Sequence, residues 1–103
     1  MGDTYEIVVN DLVINMHEHT VTRDSEHIQL TPKEFDILVL LAQNRGQVFS
    51  SERLFETVWK EEALGQDNTI MVHIRKLREK LDDSARQPKY IHTVWGVGYK
   101  IEK

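Results

Sequence analysis

The chain changes its period at Thr31. Before it, "YEIVV", "LVINM", "TVTR" and "HIQL" are short runs rich in β-branched residues, separated by Asn10-Asp11, His17-Glu18-His19 and Asp24-Ser25-Glu26. Successive side chains of a strand point to opposite faces, so such runs predict a four-stranded antiparallel meander with one face packed on helices. After it, the spacing is helical. In "LTPKEF" Thr31 is an N-cap, Pro32 suits the first helical position, and Glu34 reaches back to complete a capping box. With 103 residues there is room for one α+β domain, residues 1–103, and for no second of ordinary size.

The first helix is expected to run to about Asn44 or Arg45 and to stop at Gly46, which accepts a left-handed backbone. Phe35, Ile37, Leu38, Val39, Leu40, Leu41 and Ala42 cover nearly its whole circumference, as in a buried central helix. "QVF" is a short extended connector. Ser50 then caps a second helix, Ser51 to about Trp59, whose inner face carries Leu54, Phe55, Val58 and Trp59. "KEEALGQD" is a polar loop ending at Asp67, a cap for a third helix over about 68–82. There Ile70, Ile74, Leu77 and Leu81 form one buried stripe, and Asn68, Val72, Arg75, Lys76 and Glu79 fall opposite, with Thr69 at the edge. Pro88 blocks further helix, and "YIHTVWGVGYKI" reads as two strands, about 91–101, joined by a Gly96-Val97-Gly98 turn.

Composition narrows the function classes. There is no cysteine, which excludes disulfides, thiolate chemistry and the usual zinc modules. The longest apolar run, Ile37 to Ala42, is too short for a membrane span, and Met1-Gly2-Asp3-Thr4 lacks the features of a signal peptide. A soluble, cytoplasmic domain is expected. Up to Asp67 the chain carries 5 Lys/Arg against 13 Asp/Glu, and from Asn68 on 8 against 4, so positive charge is concentrated in the last third. That asymmetry suits a localised anionic partner.

The third helix holds Arg75, Lys76, Arg78 and Lys80. A solvated helix face would normally compensate such cations with acids one turn away, yet only Glu79 lies among them. Asn68 and Thr69 stand at the helix start, where base edges are usually met, and Val72 is an apolar residue suited to a thymine methyl. Arg78 and Lys80 flank this face and are expected nearer the phosphates. Strands, three helices and a hairpin in this order match a winged helix, whose third helix enters the major groove and whose wing lies along the backbone or minor groove.

Other motifs carry blander readings. His17 and His19 would share a face of an extended segment, but no third or fourth ligand is evident and a surface turn explains them. "GVG" lacks the third glycine and following helix of a dinucleotide site, and Ser50-Ser51 lacks a general base. No catalytic constellation, metal site or cofactor is expected. The rival to DNA binding is a protein-interaction module, since winged helices also bind proteins and the first half is acidic.

The stretches "LTPKEFDILVLLAQNRGQVFSSERLFETVW", "NTIMVHIRKLREKL" and "YIHTVWGVGYKIEK" together resemble the OmpR/PhoB-type DNA-binding effector domains of two-component response regulators. Within that family, "PKYI", "TVWGVGYKIEK" and "VHIRKLREK" are similar to the VanR branch. The resemblance implies a winged helix with an N-terminal four-stranded sheet and a C-terminal wing. It also implies a receiver domain, absent from this chain, that a sensor histidine kinase phosphorylates. Two effector domains, monomeric in isolation, would then bind direct-repeat half-sites of double-stranded promoter DNA head to tail. Val72, Arg75, Lys76 and Arg78 match the family's recognition-helix contacts, with Lys76 the best base reader and Arg75 and Arg78 phosphate or mixed contacts. Trp59, His73, Thr93 and Tyr99 match positions that hold the backbone or shape the wing. Lys60, Glu61, Glu62, Leu64 and Gln66 lie in the loop that in the family touches RNA polymerase. Trp95 stands where many relatives carry arginine, which points the wing toward backbone packing more than sequence reading, and Asn68 stands where some carry arginine, which makes the start of the third helix less basic.

Overall fold

The structure, a computed structural model, describes residues 5–65 and 67–103 and, at Asp67, the backbone alone. Four strands come first, β1 (Glu6–Val9), β2 (Leu12–Asn15), β3 (Thr20–Arg23) and β4 (Glu26–Ile28), paired in chain order as an antiparallel meander. Helices α1 (Pro32–Gln43), α2 (Ser51–Trp59) and α3 (Asp67–Leu81) follow, and β5 (Ile91–Val94) with β6 (Gly98–Ile101) closes the chain as a hairpin. This is the winged-helix architecture expected from the order of periods.

Register explains the sheet. Ile7, Ile14, Val21 and Ile28 stand in one row across all four strands, and Val9 pairs with Leu12. Val9, Leu12, Ile14 and Val21 are buried in the same core as Phe35, Leu38 and Leu41 of α1. The β3–β4 turn, Asp24-Ser25, takes positive φ at both residues, as a two-residue hairpin of type I′ requires.

The capping box of α1 is complete, with Thr31 Oγ1 accepting from the Glu34 amide at 3.3 Å and Glu34 Oε1 accepting from the Thr31 amide at 2.9 Å. The helix ends at Gln43, slightly earlier than the spacing predicts, because the Asn44 side chain donates to the Leu40 carbonyl and closes the last turn. Gly46 is still left-handed, and its amide donates to Ile101, joining the helix exit to β6. Val39 and Leu40 are only half-buried, so α1 has an outer side after all. Ser50 caps α2 by accepting from the Arg53 amide. α3 begins at Asp67, so the expected cap is the first helical residue, and Gln66 ahead of it lies outside the described residues.

Two features fix the hairpin. Phe49 and Tyr99 exchange backbone hydrogen bonds at 2.8 and 2.9 Å, so the connector before α2 becomes a third partner of the hairpin. The turn comprises Trp95, Gly96 and Val97, whereas Gly98 belongs to β6. A Cβ on Gly98 would collide with the Phe49 carbonyl, so this strand position depends on the missing side chain. Beyond α3, Asp83 accepts from the amides of Lys89 at 2.6 Å and Ile91 at 2.9 Å and shapes the approach to β5. Among the described residues no helix is long and apolar enough to cross a membrane.

Candidate nucleic-acid interface

α3 is held by its inner stripe. Ile70, Ile74, Leu77 and Leu81 are all at most 1% exposed, and α1 and α2 pack against them. Burying side chains of this kind stabilises by about 1.5–3 kcal/mol each, which orients the helix more firmly than any surface contact could. The outward side presents Asn68, Val72, Arg75, Lys76 and Glu79, all exposed, with Thr69 half-buried at the edge. Arg75 and Lys76 make no hydrogen bond or ion pair among the described residues. Their charges are therefore available to a partner.

Arg78 and Lys80 were expected nearer the phosphates, and in the structure each has a partner within the domain. Arg78 is only 9% exposed, and one guanidinium nitrogen donates to both the Ile91 carbonyl and Thr93 Oγ1 at 2.8 Å. Its plane also approaches the Tyr99 ring, at 5.9 Å from the centroid. Burial holds the guanidinium below the ordinary arginine value, with the Asp83 charge opposing. Arg78 thus ties α3 to the wing. On the opposite shoulder of the helix, Lys80 Nζ lies 2.6 Å from Glu34 Oε1, a carboxylate only 2% exposed in α1. Burial alone would raise the Glu34 carboxyl, but hydrogen bonds from Lys80 and Thr31 outweigh it and hold the carboxyl below the usual range. Both cations flank the buried stripe closely enough for neighbouring elements to claim them.

The side chains expected around the backbone fall into two groups. Trp59 is half-buried, stacked on Phe55 at 5.0 Å and met edge-on by His73. His73 Nδ1 lies 2.7 Å from the Thr69 carbonyl; a carbonyl only accepts, so Nδ1 carries the proton in this contact. Thr93 and Tyr99 are half-buried on the wing, where Thr93 supports Arg78 and Tyr99 anchors Phe49. Trp95 is almost fully exposed at the wing tip. Met71, 54% exposed, escaped the sequence reading, and it borders the groove between α3 and the wing together with Val72 and Trp95. An apolar residue beside the charged face of the wheel was the only signal for it.

In the loop after α2, Lys60 takes the left-handed conformation that ends the helix, and the Ala63 amide donates to Glu56. Glu61, Glu62 and Leu64 are exposed, and Gln66 lies outside the described residues. His17 stacks on Tyr5 and His19 on Phe35, and no metal-binding group of three His, Cys, Asp or Glu occurs among the described residues.

A helix whose outward face carries two cations without partners among the described residues, carried by a three-helix core and flanked by a braced hairpin, defines a winged-helix DNA-binding domain. Residues 25–101 match the family described as "Transcriptional regulatory protein, C terminal", and the chain belongs to that family, which is the OmpR/PhoB type and not one of enzymes. It is similar to Regulatory protein VanR of Enterococcus faecium, 53% identical over 98 residues that cover 94% of this chain and 42% of that protein. The chain therefore spans about two fifths of the curated relatives it matches. Among solved structures it resembles the Klebsiella pneumoniae RstA DNA-binding domain in complex with the RstA box, with a TM-score of 0.87, 31% identity and coverage of 94% and 96% of the two chains. It also resembles the response regulator DrrB, a Thermotoga maritima OmpR/PhoB homologue, with a TM-score of 0.85, 34% identity and coverage of 96% of this chain and 45% of that one.

Proposed function

We propose that this domain reads one half-site of a double-stranded promoter by laying the outward face of α3 in the major groove and the β5–β6 wing along the adjacent backbone and minor groove. The observation that carries this is that Arg75 and Lys76 are exposed, without a partner among the described residues, on a helix whose inner stripe is buried. Lys76, with Asn68, Thr69 and Val72, meets base edges, and Arg75 meets phosphate. His73, Trp59, Thr93 and Tyr99 position the backbone. Arg78 acts indirectly, by holding the wing.

In the full-length regulator, a receiver domain phosphorylated by a sensor histidine kinase brings two such domains onto direct repeats, head to tail, in the cytoplasm. The loop of Lys60, Glu61, Glu62, Leu64 and Gln66 then faces RNA polymerase. Similarity to VanR and to a DNA-bound RstA domain supports this reading. The deciding experiment is binding to heparin and to random duplex at two salt concentrations, followed by footprinting on promoter DNA. Retention that weakens with salt, and a footprint on the promoter, are expected. No retention at either salt would make the domain a protein-interaction module instead.

A further inference from the structure

The wing tip is built unlike the rest of the DNA-facing surface. Trp95, Gly96 and Val97 carry no charge, although they project beside a cationic helix. Trp95 is 90% exposed and Val97 56% exposed, and among the described residues no other large apolar side chain is as exposed as Trp95. The cation near the other end of β6 is engaged, since Lys100 lies 3.3 Å from Glu102. An indole offers phosphate a single N–H, so most of its surface gains nothing from the phosphate charge.

The turn at the tip is closed by a backbone bond, and the hairpin below it is braced. The Val97 amide donates to Val94, and Gly96 takes φ +77°, as the second central residue of a type II turn does. Below the turn, Arg78 grips β5, and Phe49 is bonded to Tyr99 in both directions. Trp95 borders the same groove, about 520 Å³, as Asn68, Val72 and Arg75. The apolar tip is thus continuous with the helix face.

We propose that Trp95, backed by Val97, is an apolar wedge that enters the minor groove beside the half-site, partly unstacks one base step and kinks the duplex. This rests on the DNA-binding reading above and deepens it. Within DNA, the hydrocarbon of an indole finds apolar contact on the faces of bases, and inserted apolar side chains unstack a step and bend the duplex toward the major groove. The step that opens is the one that costs least to unstack. Pyrimidine–purine steps are the most easily unstacked, and the domain accordingly prefers TA or CA/TG under the wing, where no side chain reads a base by hydrogen bonds.

The test uses duplexes enriched from a random-sequence pool by retention on the domain. They carry 2-aminopurine placed in turn along the wing side of the footprint and a donor–acceptor dye pair at the ends. Binding is expected to raise 2-aminopurine emission at one step and to shorten the dye distance. Trp95→Ala should abolish both and weaken the enriched duplex about tenfold or more, as for a lost base-stacking contact. Its melting temperature should be unchanged, and Trp95→Phe should restore part of the signal. If Trp95→Ala keeps the emission change and the affinity while Lys76→Ala weakens binding, the DNA reading stands and the wedge is wrong. If the wild-type domain retains no duplex from the pool, both fall.

Discussion

Arg75 and Lys76 stand close to Arg78 and Lys80 on one helix, yet the two pairs are in opposite circumstances. Arg75 and Lys76 reach solvent with no partner among the described residues. Arg78 is bonded to Ile91 and Thr93, and Lys80 to Glu34. All four are cations of similar reach. What separates them is position on the wheel, because the shoulders of the buried stripe face β5 on one side and α1 on the other, whereas the outer side opens onto the groove beside the wing and finds no partner for its cations among the described residues. A cationic helix is therefore divided into a part that holds the domain together and a part left for a polyanion.

Arg78→Ala should break the structural half of this comparison most severely. It leaves the Ile91 carbonyl without its charged donor, and unfolding in urea should show a loss of about 2–3 kcal/mol, whereas Arg75→Ala should stay within about 0.5 kcal/mol of wild type. Equal stabilities for the two variants would erase the distinction. On the binding half, Lys76→Ala should weaken the operator by about 1–3 kcal/mol and relax preference at one base pair, read by fluorescence anisotropy on single-substituted duplexes. An equal loss on every sequence would instead make Lys76 a phosphate contact.

Lys80→Met should cost about 1 kcal/mol at neutral pH, since Glu34 keeps its Thr31 bond but loses its counter-charge. The folded Glu34 carboxyl titrates below its unfolded value. Its contribution is therefore present above the ordinary carboxylate range and lost as pH falls through the folded pKa. Thermal melts at descending pH should show the gap between wild type and Lys80→Met closing; a constant gap would mean that Lys80 acts through packing alone. The smallest effect sharpens the role of Arg75. Arg75→Ala should reduce the slope of log affinity against log salt by about one, on specific and random duplex alike.

Much of the fold was legible because its signals are local. Thr31 and Glu34 lie within one helical turn, and their capping box formed as the spacing predicts. The stripe of Ile70, Ile74, Leu77 and Leu81 repeats at the helical period and is buried as a unit. Where the reading slipped, a contact distant in sequence was responsible. Gly98 belongs to β6 and not to the turn because Phe49 lies against its backbone, and Arg78 is engaged within the domain because β5 lies beside it.

By itself, the sequence determined the order of strands and helices, the buried side of α3 and the excess of cations on its other faces. These follow from periodicity and capping, which act over a few residues. Only the tertiary structure decided which cations remain free, that the connector at Phe49 braces the wing, and that Trp95 stands exposed beside the helix face. Those outcomes depend on which carbonyl, hydroxyl or carboxylate a distant segment brings within hydrogen-bonding distance. Chain packing sets that distance, and residue spacing along the sequence does not encode it.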